Sequence, residues 1–286
     1  MFVDADKKLA SEIIKMARKF GADLAGFIDV ESLQCSPSHK MHAKLPHYTL
    51  NSDNAAADSG NPAASQEHQS PGVKVNFPKK AQTILIIGIC HPEDEPALDY
   101  WRNPFPGGTE GNLRLIRINN QIIQWLENNE GIIGLQIPYA ITKGGIYLKD
   151  AVVLAGLGVI GKNNLLITPQ FGPRVRLRAM ALPVNLPATG PLDFDPCAFC
   201  DAPCRSICHQ GAFDEKVYSS MDYGQTELPA REGVYSRKTC KLEMDKNRDK
   251  AELIPIDGGE NMRVAAHCRA CEFQCTVGSA SSTDKF

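Results

Sequence analysis

Eight of the ten cysteines lie between Cys197 and Cys275, and their spacing is the strongest chemical signal in the chain. The first group is Cys197-x2-Cys200-x3-Cys204-x3-Cys208. The second is Cys240, then Cys268-x2-Cys271-x3-Cys275. A cubane iron–sulfur cluster needs four thiolates converging from different directions: three come from one tight loop and the fourth from elsewhere. In two-cluster ferredoxins the last cysteine of each run ligates the other cluster. That rule predicts one [4Fe–4S] cluster on Cys197, Cys200, Cys204 and Cys275, and a second on Cys208, Cys240, Cys268 and Cys271, with no cysteine of the eight left over.

Two features depart from the common run. Asp201, Ala202 and Pro203 put three residues where two are usual, and His209 and Thr276 stand where a proline usually follows the last cysteine. The competing reading is a pair of four-cysteine zinc sites. Zinc usually pairs two Cys-x2-Cys knuckles, whereas these groups carry three and four closely spaced cysteines. His209 and His267 flank ligand positions and read as neighbours of the metal rather than ligands. Cys35 and Cys90 read as incidental, Cys90 as core.

The elements that must position these loops are legible in the rest of the 286 residues. Leu9, Ile13, Met16 and Phe20 share a face of a helix over 5–20, and Leu24–Val30 follows as a strand. Thr83–Ile89 is a continuous apolar run suited to a buried central strand. Leu115, Ile118, Ile122 and Trp125 mark a second amphipathic helix, and Gly134–Pro138 suits a strand. Ala151–Leu154 fits either a helix end or a strand. Arg174, Arg176 and Arg178 alternate in a strand that turns three guanidiniums to one side. They read as a solvated face or as anchors for phosphates or carboxylates of a cofactor or partner. Residues 51–72 offer almost nothing to bury and read as a flexible insertion. The Pro/Gly-rich stretch Pro183–Pro191 is the best boundary, dividing an α/β domain over 1–190 from a cysteine domain over 191–286.

Other motifs are weaker. Gly156, Gly158 and Gly161 spell G-x-G-x-x-G, but Pro169 and the β-branched residues that follow oppose the required helix, and no acid appears until Asp193. NAD binding is rejected. The turn, with Lys162, reads as close backbone packing that could line a pocket. Tyr139, Lys143, Tyr147, Lys149 and Asp150 gather around Gly144-Gly145, and of these Lys143, Tyr147 and Asp150 are the candidate catalytic groups.

Composition narrows the class. A hydrophobic fraction of 43% and a charged fraction of 22% are ordinary for a globular protein, and a net charge of −2 gives no general attraction to nucleic acid or membrane. The amphipathic N-terminus lacks a signal peptide's apolar core, and no apolar run reaches bilayer length. A cytoplasmic protein is expected, with thiols on metal rather than in disulfides.

The segment LKDAVVLAGLGVIGKNNLLITPQFGPRVRLR (Leu148–Arg178), the eight-cysteine region with its isolated Cys240 and the upstream stretch Ile84–Trp101 resemble the epoxyqueuosine reductase and reductive dehalogenase superfamily. The resemblance implies an α+β or α/β fold: an N-terminal domain distantly like nitroreductases, and a C-terminal ferredoxin-like domain with two [4Fe–4S] clusters. It implies an external electron donor such as a flavodoxin or ferredoxin, and a corrinoid near Gly156, Gly158, Gly161, Lys162, Arg174 and Arg176 at which a reductive cleavage occurs. One departure matters. Where epoxyqueuosine reductases carry an aspartic acid as general acid, Ala140–Gly145 reads AITKGG, with no carboxylate. The chain also stops soon after its second cysteine group, so the tRNA substrate is not carried over. Two other functions compete with the reductase reading: a non-enzymatic electron carrier or adaptor, and a reductive activator of another protein's corrinoid.

Overall fold

The computed structural model describes residues 2–44, 74–103, 109–255 and 261–278. The expected insertion at 51–72 lies outside them. A four-stranded sheet organises the N-terminal part, in the order β1 (Leu24–Asp29), β2 (Thr83–Cys90), β7 (Val175–Leu182), β4 (Leu135–Ile137). Every pairing in it is antiparallel. Of the two classes left open by the sequence, this selects α+β over a parallel α/β design; β2 and β4, each antiparallel to β7, run parallel to one another and are joined by a long crossover that carries the helix Glu110–Glu130.

The uninterrupted apolar run of β2 has a direct cause: both faces of the sheet are covered. Leu85, Ile87 and Ile89 face α1 (Phe2–Lys19) and α4 (Glu110–Glu130), joining Ile13, Ala17, Leu115, Ile118 and Ile122 in one core. Ile84 and Ile86 face the other side, where Leu33 of α2 (Val30–Gln34) and Ala151 and Val152 of α5 (Leu148–Leu154) close a second core. Each fully buried Ile or Leu contributes about 1.5–3 kcal/mol relative to exposure. The Ala151–Leu154 ambiguity resolves as helix because Ala151 and Val152 sit on its sheet-facing side. Thr109 caps α4 by accepting from the Asn112 N–H at 3.2 Å, and Gly131, at φ 66°, ends it.

The C-terminal part is built of short pieces. They are α6 (Pro203–Ser206), α7 (Ser220–Tyr223), α8 (Arg237–Asp249) and α9 (Ala270–Phe273), together with β8 (Glu252–Pro255) and β9 (Asn261–Ala265). Strand β9 also pairs with β3 (Trp101–Asn103), so a small sheet ties the C-terminal part to the N-terminal one. A tight hairpin of β5 (Val159–Ile160) and β6 (Leu166–Ile167) projects from the end of α5. Among the described residues, no helix is long and apolar enough to cross a membrane.

Candidate metal centre

The first cysteine set surrounds a cavity of about 540 Å³ lined by Cys197, Cys200, Cys204 and Cys275, with Lys162, Asn163 and Phe199 among its other walls. The fourth thiol thus comes from the far run. Burial pushes the Cys204 thiol up to about 11, and the nearby thiols of Cys275, Cys197 and Cys200 push the same way. Cys275 is raised by burial and then by Cys197 and Cys200. The extra residue between Cys200 and Cys204 is taken up at Ala202, which adopts a left-handed conformation (φ 55°, ψ 48°) at the start of α6.

The second set gathers beside it, with Cys208, Cys240, Cys268 and Cys271 each half-buried. Cys268 is raised by burial and by Cys240, Glu243 and Cys208. Cys271 is raised by burial, Glu272, Cys240 and Cys268, and it also senses Cys204, so the two sets adjoin. The Cys208 sulfur accepts the Ala212 N–H at 3.4 Å. Among the described residues, no three His, Cys, Asp or Glu side chains close on a point that would hold a single ion. Four thiols set around the walls of an open volume suit a multi-atom cluster better than one zinc.

The N-terminal part grips the cysteine loops by their carbonyls. The Lys162 ammonium donates to the Cys200 carbonyl at 2.7 Å, and the Asn163 amide to the Cys271 carbonyl at 3.3 Å. Arg174, 6% exposed, donates to the carbonyls of Cys275 (3.1 Å) and Val277 (3.0 Å). Arg205 donates to the Lys162 carbonyl at 2.8 Å and Arg231 to that of Ile160 at 2.7 Å.

A buried polar junction lies between the sheet and the second set. His91, at the end of β2 and 3% exposed, meets the Asp99 carboxylate through Nδ1 at 2.6 Å. Burial works against ionised Asp99, but the His91 hydrogen bond and the Arg176 and Arg269 guanidiniums win and hold its pKa far below the carboxylate range. Arg269, between Cys268 and Cys271, also donates to the His91 carbonyl at 2.5 Å. The His267 ring stands edge-on to Trp101 at 4.3 Å; burial, then Arg176, lower it to about 3. Arg178 lies over Tyr139, 5.8 Å from the ring centroid, and Arg237 interacts electrostatically with Tyr139, Cys240 and His267. The Nε2 atoms of His91 and His267 are buried without a hydrogen-bond partner.

No family model matches the chain. An epoxyqueuosine reductase of Lactococcus garvieae is 23% identical over 283 residues, 87% of this chain and 77% of that one. The epoxyqueuosine reductase structure from Bacillus subtilis superposes with a TM-score of 0.57 at 16% identity, over 98% of this chain and 67% of the other. An epoxyqueuosine reductase bound to an epoxyqueuosine-modified tRNA stem loop gives 0.58 at 18% identity, and this chain spans only 65% of its length. A reductive dehalogenase described in terms of B12-dependent dehalogenation also gives 0.58, at 16% identity over 97% of this chain and 33% of that one. This is the fold of the epoxyqueuosine reductase and reductive dehalogenase superfamily.

Within the epoxyqueuosine reductase fold, several cofactor-binding expectations need correction. Arg174 holds the Cys275 loop and Arg176 pairs with Asp99, so these guanidiniums serve protein partners rather than an anionic cofactor group. Gly156, at φ 70°, lies against Gly190, where a Cβ would come within 2.6 Å of its Cα. Gly158 and Gly161 press on Ile167 within their own hairpin. This is the packing turn, and only Lys162 of that segment reaches the cavity. Asp150 accepts from Ser36 Oγ (2.8 Å), the Ser38 N–H (2.7 Å) and Ser38 Oγ (2.7 Å), capping α3 (Pro37–Met41). Tyr147 OH meets His42 Nδ1 at 2.9 Å, and its pKa is pushed up to about 12 by burial and then by Asp150. Lys143 ends a short 3-10 turn (Ile141–Lys143). These three candidate catalytic groups stand apart from the cysteine cavity. Sequence reasoning missed His91, Asp99 and Arg269. The available signal was a histidine immediately beyond the central strand, in CHPEDEPALD.

Proposed function

We propose that the chain is an iron–sulfur oxidoreductase whose two crossed cysteine sets hold two [4Fe–4S] clusters, which supply one-electron storage between an external donor and an acceptor site in the N-terminal part. The observation that carries this reading is the meeting of Cys275 with Cys197, Cys200 and Cys204, across 71 residues of chain from Cys204, around one volume. The chain's own role is to hold the thiols, shield them and fix the distance between the sets through the Lys162–Asn163 grip. The donor is a one-electron carrier of flavodoxin or ferredoxin type, approaching where the first set opens beside the fully exposed Phe199.

The acceptor site is the junction of His91, Tyr139, Arg178, Arg237 and His267. Its two unpartnered imidazole nitrogens fit a bound group rich in N–H donors, as the amide side chains of a corrinoid are, and its guanidiniums fit a phosphate. A corrinoid held there would supply a reducible metal for bond cleavage. Buried His91, fixed by Asp99, orients a nitrogen toward that group, and Arg269 ties the same histidine to the second cysteine loop. The substrate of the relatives is not assigned, because AITKGG carries no carboxylate.

Anaerobic reconstitution with iron and sulfide tests the reading. The expected product is brown, binds about eight irons per chain and bleaches with dithionite. A colourless protein that takes zinc instead would overturn it.

A further inference from the structure

Lys162 occupies an unusual position. It is the one cation among the described residues lining the first cavity, whose acids are Asp195 and Asp201. Asp195 is already paired with Arg231, at 2.7 Å. Among the described residues, Lys162 Nζ bonds the neutral carbonyl of Cys200 rather than a carboxylate. The ammonium is also held still. Lys162 leaves a two-strand hairpin so tight that a Cβ on Gly158 would sit 2.4 Å from the Ile167 carbonyl oxygen. Its own carbonyl is held by Arg205, and the next residue, Asn163, grips the other cysteine loop.

Adding one electron to a four-thiolate cluster adds one negative charge. A fixed cation at the wall, bonded to a neutral carbonyl, lowers the free energy of the reduced state more than that of the oxidised one, raising the reduction potential. Building on the two-cluster reading, we propose that Lys162 sets the reduction potential of the cluster on Cys197, Cys200, Cys204 and Cys275, easing its one-electron reduction by the external donor. It acts as a positioning and charge-placing residue, through the Cys200 carbonyl, and takes no proton or electron itself.

The test is a redox titration of the reconstituted full chain followed by electron paramagnetic resonance. The signals of the two clusters are assigned with Cys275→Ser and Cys208→Ser. Lys162→Gln keeps a donor for the Cys200 carbonyl without the charge; Lys162→Met removes both; Lys162→Arg restores the charge. Lys162→Gln and Lys162→Met are expected to keep wild-type iron content while the first cluster's potential moves negative. The shift corresponds to about a tenfold loss of reduced cluster at fixed potential. The second cluster should stay in place, and Lys162→Arg should return the first to near its wild-type value. Full iron with an unmoved first potential in Lys162→Gln overturns the assignment to Lys162 while leaving the two-cluster reading intact. Equal shifts of both clusters overturn it too, since a general loosening would do that. Absence of iron from the wild type defeats the underlying reading and this proposal with it.

Discussion

At the scale of single residues, the structure separates groups that hold the protein together from groups that face its chemistry. Asp150 and Tyr147 had the sequence profile of catalytic groups, a carboxylate and a phenol beside a glycine pair. Asp150 instead satisfies three donors around the start of α3. Asp150→Ala strands those donors, and we expect a loss of about 2–4 kcal/mol in urea unfolding with iron content unchanged. His39 joins this cluster through a 2.8 Å contact of Nδ1 with Ser36 Oγ, and burial lowers its pKa to about 4. A histidine whose folded pKa lies below its unfolded value binds fewer protons folded than unfolded. Its contribution is therefore full above about pH 6.5 and falls as the pH drops toward 4. Stability measured across that window should fall less steeply in His39→Gln than in wild type, and parallel curves would count against it. Nothing in the sequence could distinguish a capping carboxylate from a catalytic one, because the distinction rests on Ser36 and Ser38, more than 110 residues away.

At the scale of elements, period and composition were informative wherever one element faced one core. The continuous apolar run of β2 announced a strand covered on both faces, and α1 and α4 showed their stripes. Ile87→Ala, emptying a site that is 0% exposed between α1, α4 and the sheet, should cost about 2–5 kcal/mol. The arginine alternation also read correctly as a strand, but its meaning did not. Arg176 and Arg178 continue the face of Met180 and Leu182 toward the start of α4, where Asp99 and Asn112 receive them. The β3–β9–β8 sheet was illegible because β3 has only three residues and pairs with a strand more than 150 positions away. The hairpin at Gly158 spells a nucleotide-turn motif but lacks the helix and acid that motif needs, and it is a close-packed spacer, as the rejection of NAD binding implied. Gly158→Ala should weaken the protein by about 1–3 kcal/mol and release the Lys162–Asn163 grip, seen as slower iron uptake on reconstitution.

At the scale of the whole molecule, the two parts are joined at the site itself. Side chains of the N-terminal part hold carbonyls of Cys200, Cys271 and Cys275, and Arg269 of the C-terminal part holds His91. The cysteine spacing made the crossed sets an explicit expectation, because ligand count and loop length are sequence properties. The junction of His91, His267 and the guanidiniums was not, since it is assembled from five separated segments and carries no spacing of its own. The crossing is tested most directly by iron analysis and electron paramagnetic resonance of reconstituted Cys275→Ser beside Cys208→Ser. Cys275→Ser should lose or alter only the cluster of Cys197, Cys200 and Cys204, and Cys208→Ser only that of Cys240, Cys268 and Cys271, with about four irons remaining intact in each. If instead Cys275→Ser damaged the cluster of Cys268 and Cys271 and spared the other, the crossed arrangement would be wrong.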